Sequence, residues 1–134
     1  MNLGIIGSRN FVKRSLVVDC LQKLKSRFGP TLVILSGGTD TGAELFAKKE
    51  ALNFGLKYLE YNPSFTGYKM YSALPEEYYG KGFHPSHFHD RYRKLIIDSD
   101  RILFFLPKTG SLEKEIAAAL KMCKKMNKSY LILK

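Results

Sequence analysis

The stretch from Leu32 to Glu44 constrains the rest of the chain. Leu32-Val33-Ile34-Leu35 is an apolar run, Ser36-Gly37-Gly38 breaks it, and the sequence restarts as a helix near Gly42-Ala43-Glu44. Strand, glycine turn, helix is a way to build an anion site. Glycines let the backbone turn sharply and approach a ligand. The first helical turn then offers unpaired N–H groups at the positive end of the helix dipole. A chain built around such a unit is expected to be a small α/β domain that handles a phosphate or a nucleotide.

The same rhythm recurs on both sides. Residues 2–6 read as a first strand, followed by Gly7-Ser8-Arg9-Asn10 and a helix over about 11–28. In that helix Leu16, Val17, Cys20, Leu21 and Leu24 fall at helical spacing. Gly29-Pro30 ends it. Residues 31–35, 56–60, 101–106 and 129–133 predict four further strands. Helices are expected over 42–53, with Ala43, Phe46, Ala47 and Ala51 inward, and over 86–98. A last helix follows Ser111 and runs to about 126, with Ile116, Ala117, Leu120 and Cys123 inward.

Alternation of this kind implies a parallel sheet covered on both faces. Right-handed crossovers then give a single Rossmann-like α/β domain over 1–134, with five mostly parallel strands in the order 3-2-1-4-5. Strands one and four are neighbours at the switch point, where ligands bind beyond the carboxyl ends. Residues 61–85 break the rhythm and are too long for an ordinary connection. Rich in tyrosine (Tyr61, Tyr68, Tyr71, Tyr78, Tyr79), they read either as a lid over a ligand or as an excursion packed on the body.

In this topology three loops reach one edge of the sheet. They carry the candidate ligand residues: Gly7, Ser8 and Arg9; Ser36, Gly37, Gly38, Asp40, Thr41, Gly42 and Glu44; Thr109, Gly110 and Ser111. Arg9 adds a charge suited to bidentate phosphate contact. Asp40 either touches a ribose hydroxyl or shapes its turn. There is no GxxxxGK[ST], and Gly4-Ile5-Ile6-Gly7-Ser8-Arg9 lacks the GxGxxG spacing, which argues against NTP hydrolysis and hydride transfer.

Composition narrows the partner. The net charge of +10, from 22 basic and 12 acidic residues, favours an anion. The lysines are scattered and form no recognition module, so nucleic acid ranks below a small molecule. No apolar run approaches the roughly 18 residues of a membrane span, and the start does not read as a signal peptide. Cys20 and Cys123, without CxxC pairing, read as reduced thiols in a cytoplasmic protein. His84, His87, His89 and Asp90 straddle Pro85 with no cysteine beside them, so neither a metal nor a resident cofactor is expected.

Four local features resemble the SLOG superfamily, in particular its small stand-alone YspA-like branch. A GSR turn follows strand one (Gly7-Ser8-Arg9). An SGG is followed by a GAD-like triplet and an apolar stretch (Ser36-Gly37-Gly38, Gly42-Ala43-Glu44, Ala47). An RN-like pair sits on the helix before strand four (Arg91-Tyr92), and an acidic residue (Asp100) precedes that strand. Glu44 stands where the pattern has aspartate, and Tyr92 where it has asparagine. The resemblance implies a nucleotide-type ligand in the crevice, Arg91 joining Arg9 on its phosphate, and a homo-oligomer.

Relatives in that superfamily include LOG-type phosphoribohydrolases and the DNA-binding core of DprA. The LOG-type loop PGGxGTxxE is matched by Pro107 to Lys114, with Gly110-Ser111 at GT and Lys114 at the glutamate position between Glu113 and Glu115. Nucleotide binding is the leading expectation. The alternatives are N-glycosidic cleavage of a nucleoside 5′-monophosphate and DprA-like nucleic-acid binding. In an enzyme, Glu113 or Glu115 would steady the sugar cation or activate water. The same glutamates also suit a first helical turn with no further role.

Overall fold

A computed structural model describes residues 1–39, 41–61, 86–108 and 113–134, with the backbone alone over 86–91. Strands and helices alternate: β1 (Asn2–Gly7), α1 (Arg14–Phe28), β2 (Val33–Ser36), α2 (Ala43–Asn53), β3 (Lys57–Glu60), α3 (Ser86–Asp98), β4 (Arg101–Phe105), α4 (Lys114–Lys125) and β5 (Tyr130–Leu133). All four strand pairings are parallel, in the order β3-β2-β1-β4-β5. This is the expected Rossmann-like topology.

Successive side chains on a strand point to opposite faces, and here both faces are buried. Ile5, Ile34 and Phe105 pack with Val17 and Leu21 of α1 and with Ala43, Ala47 and Ala51 of α2. Ile6, Leu35 and Phe104 pack with Leu95 and Ile96 of α3 and with Ile116, Ala119 and Cys123 of α4. Burial on both faces explains why the central strands are continuous apolar runs rather than alternating ones. Within α4 the buried stripe is 116, 119 and 123, spaced i, i+3, i+7. Ala119 takes the inward place expected for Ala117, which is only half-buried.

Two boundaries differ from expectation for physical reasons. A 3-10 turn, Gly29–Thr31, delays β2 to Val33. The first helix starts at Arg14 rather than Phe11, because the Phe11 ring is drawn into the core edge-on to Phe105 at 5.6 Å. Its N–H meets the Ser8 carbonyl at 3.2 Å. Burying such a ring stabilises by about 1.5–3 kcal/mol. Residues 8–13 therefore stay a loop, pinned in the middle.

At the amino end of the strands the chain is closed by short bonds. Asp100 Oδ2 accepts the Asn2 N–H at 2.7 Å, and the Asn2 side-chain amide donates to the Asp98 carbonyl at 3.1 Å. The two cysteines are free. Cys20 belongs to the α1 layer and Cys123 to the α4 layer. The sheet separates them, so they cannot meet. Burial raises both thiols above their usual range, Cys123 to about 11. Among the described residues no helix is long and apolar enough to cross a membrane, and no group of three or more His, Cys, Asp or Glu is placed to hold a metal ion.

Candidate functional site at the carboxyl end of the sheet

Ser8 is the residue on which the loops converge. It is 4% exposed. Its N–H donates to the Phe105 carbonyl at 3.0 Å, and its carbonyl accepts the Ala43 N–H at 3.5 Å. Its hydroxyl donates to Glu113 Oε1 at 2.7 Å and accepts the Asn10 N–H at 3.2 Å. Phe105 and Glu113 flank the loop after β4, and Ala43 opens α2. One serine thus joins the ends of β1 and β4 to the starts of α2 and α4.

The glycines explain how the backbones come so close. Gly42, at φ 75 and ψ −150, lies near a region that only glycine occupies without strain. A Cβ there would overlap the Ser8 carbonyl and the Arg9 backbone. A Cβ on Gly7 would run into the Ala43 methyl. The start of α2 can therefore rest directly on the turn after β1.

Glu113 is the N-cap residue of α4. Its Oε1 accepts the Ser8 hydroxyl and, at 3.2 Å, the backbone N–H of exposed Arg9. Two donors of the β1 loop therefore aim at one anionic oxygen. Glu115 stands in the first turn of α4 and is half-buried.

Beneath the second loop lies a buried polar cluster. Glu44 is 1% exposed. It accepts the Tyr92 hydroxyl at 2.6 Å, the Gly7 N–H at 3.4 Å and the Ser36 hydroxyl at 3.4 Å. Ser36 Oγ in turn accepts the Gly38 N–H at 3.2 Å, which shapes the glycine turn. Glu44 lies inside the fold, bridging α2, β1, β2 and α3, and not on the open crevice wall. The Glu44 carboxylate is thus met across the fold by the Tyr92 hydroxyl. On the β3 side, Tyr58 donates to Glu60 at 3.0 Å and Lys48 pairs with Glu60 at 3.1 Å. Burial, above all, holds the Tyr58 phenol well above its usual range and so keeps it a neutral donor.

The structure brings the expected ligand residues Gly7, Ser8, Arg9 and Gly42 together with Glu113, a candidate catalytic residue of the enzyme alternative, in one cluster. Ser36 and Glu44 lie under it, Gly37 and Gly38 form the turn beside it, and Thr41 is exposed at its edge. Asp40, Thr109, Gly110 and Ser111 lie outside the described residues, as do 62–85 with His84. The side chains of His87, His89, Asp90 and Arg91 also lie outside them, although α3 itself is placed. Asp100 sits at the opposite end of the sheet.

Sequence reasoning missed Tyr58 and Tyr92 as members of the polar cluster. A signal for Tyr92 was present, because it shares helical spacing with buried Leu95 and Ile96. A tyrosine on a buried face needs a partner for its hydroxyl. Tyr61 was grouped with the excursion, yet it is 2% exposed. Its N–H meets the Ser36 carbonyl at 2.7 Å and its hydroxyl meets Asp98 at 2.8 Å.

Fold and loop geometry together define a Rossmann-like α/β protein whose β1 turn meets the starts of α2 and α4 at the switch point. Two solved structures are similar to it, both of the molybdenum cofactor (Moco) carrier protein of the alga Chlamydomonas reinhardtii. One aligns with a TM-score of 0.64 at 16% identity, covering 98% of this chain and 74% of that one. The other aligns at 0.61 and 14%, covering 98% and 75%. At these identities the likeness establishes the fold. No family model matches the sequence. No curated protein matches it either.

Proposed function

We propose that the crevice around Ser8 binds a nucleotide or nucleotide derivative through its phosphate, as a SLOG-type domain would. The observation that carries this reading is the convergence of the Ser8 hydroxyl and the Arg9 N–H on one carboxylate oxygen of Glu113. Charge-assisted donors grouped in this way suit an anionic oxygen. The glycine contacts that set them leave no room for side chains in the turn. Arg9, exposed beside them, supplies the mobile charge, and Arg91 and the loop after β4 are the further phosphate contacts the family pattern implies. Both similar structures are of a protein whose name describes carrying a ligand, in keeping with binding as the primary role.

The test is a panel of nucleoside 5′-monophosphates, cyclic nucleotides and NAD-like dinucleotides, read by thermal stabilisation and by chromatography for released base. Ligand at about 100 times its Kd adds roughly 2.7 kcal/mol of apparent stability. Stabilisation without base release is expected. No stabilisation by any member of the panel would sink the reading.

A second reading has one observation in its favour. Glu113 is held in a fixed orientation by Ser8 and Arg9 at the start of α4. Such a carboxylate suits N-glycosidic hydrolysis. Base release that disappears in Glu113→Gln would favour it. Release unaffected by both Glu113→Gln and Glu115→Gln would refute it.

A further inference from the structure

Beside the crevice, where the loop after β1 faces the ends of β4 and β5, lies a separate cavity of about 130 Å³. Buried Phe11 and Leu106 line its base, and Lys13, Lys108 and Lys134 contribute to its walls. By liquid volume this is space for about four waters, enough for a phosphate group. Both lysines line this one cavity, and the neighbouring Lys108, ahead of burial, holds the Lys13 ammonium below its usual range. Among the described residues the ion pairs involve Arg14, Lys48 and Lys94, and no carboxylate pairs with either of these lysines. Two cations facing each other repel, and an anion between them reverses the sign of that interaction. An ammonium on a flexible stem binds phosphate as a point charge and needs no fork geometry.

We propose that Lys13 and Lys108, with the cavity between them, form a second anion site that takes a phosphate or pyrophosphate group. It is distinct from the crevice at Ser8 and does not depend on the nucleotide reading. The group can arrive as the free anion or as the diphosphate of a larger ligand, since the recognised chemistry is the same.

Calorimetric titration of the full chain at low salt with inorganic pyrophosphate, and in parallel with ADP, tests the assignment. Wild-type protein is expected to bind pyrophosphate at the lysine site, apart from any binding in the crevice, which Ser8→Ala removes. Lys13→Gln and Lys108→Gln should each weaken it by about tenfold or more, the loss expected for one charged hydrogen bond. The double variant should lose this event while keeping any binding in the crevice. Lys121→Gln, on the exposed side of α4, should bind as wild type does. ADP binding more tightly than pyrophosphate in Ser8→Ala, and losing that binding when the two lysines are also replaced, would mean that the group arrives on a nucleotide. Pyrophosphate binding at least as tightly would mean the free anion. Three results would overturn the proposal: no pyrophosphate binding by wild type, undiminished binding by the double variant, or an equal loss in Lys121→Gln. A loss in Ser8→Ala with the lysine variants unaffected would place the anion in the crevice instead. Both lysines are at the surface, and circular dichroism would confirm that the variants fold.

Discussion

The two ends of the sheet are built from the same strands and behave differently. At the amino end, Asp100 and Asn2 satisfy each other's main chain across β1 and β4, and a carboxylate is used up in holding two strands together. At the carboxyl end, Ser8, Gly42 and Glu113 bring strand ends and helix starts onto one point. The difference follows from the parallel order. Every β–α crossover starts its helix at the carboxyl end, so the positive dipole ends and unpaired N–H groups gather there. The amino end receives helix carboxyl ends and is sealed by local bonds. In this molecule, polarity closes the strands at one end and joins loops to helix starts at the other.

The largest way to break this contrast is at Gly42. Gly42→Ala places a methyl against the Ser8 carbonyl and forces a disfavoured φ, and the strain alone costs about 1–3 kcal/mol. Thermal melting is expected to fall by roughly 3–5 °C for each kcal/mol in a chain of this size, and the panel ligand should no longer stabilise the variant. A Gly42→Ala protein that melts and binds like wild type would contradict the packing described for the turn.

Next in size is Tyr92→Phe. It removes the 2.6 Å donor to buried Glu44, and leaving such an acceptor under-satisfied costs about 1–3 kcal/mol. Chemical denaturation would read the loss as a lower midpoint with an unchanged slope. The variant sharpens the comparison because Glu44 supports the crevice from inside. Glu44→Asp in the Tyr92→Phe background should restore no stability, since the shorter side chain moves the carboxylate further from its remaining donors.

A smaller effect is expected at the other end. Asp100→Asn weakens the 2.7 Å bond to the Asn2 N–H and should cost about 1 kcal/mol, with ligand binding unchanged. Binding lost in Asp100→Asn would erase the distinction between the two ends. The smallest effect concerns the thiols. With Cys123 raised to about 11 by burial, little thiolate exists at mildly alkaline pH. Alkylation should therefore proceed more slowly at Cys123 than at half-buried Cys20 until the protein is unfolded. Mass spectrometry of partially alkylated protein would show the order.

Much of this was legible in the sequence because it depends on periodicity and on glycine. The apolar runs of β1, β2 and β4, the helical spacing of Val17 and Leu21, and the break at Ser36-Gly37-Gly38 all act locally. The strand order follows from them by the handedness of crossovers. The convergence of the β1 and β2 loops was equally readable once that order was set. What escaped was long-range polar pairing. The helical spacing of Tyr92 implies a buried partner for its hydroxyl but does not name the carboxylate 48 residues away in sequence, and nothing near Lys13 announces Lys108. The start of α1 was misjudged for a related reason, because Phe11 leaves the helical pattern to pack on Phe105 across the sheet.

Ligand binding at the carboxyl end of the sheet is tested most directly by amide chemical-shift mapping of isotope-labelled protein during titration with a nucleoside 5′-monophosphate. Shifts are expected to concentrate at Gly7, Ser8, Arg9, Gly38, Gly42 and Glu113, with Asn2 and Asp100 silent. Shifts gathered at Asn2 and Asp100, or spread evenly over the lysine-bearing surface, would contradict it.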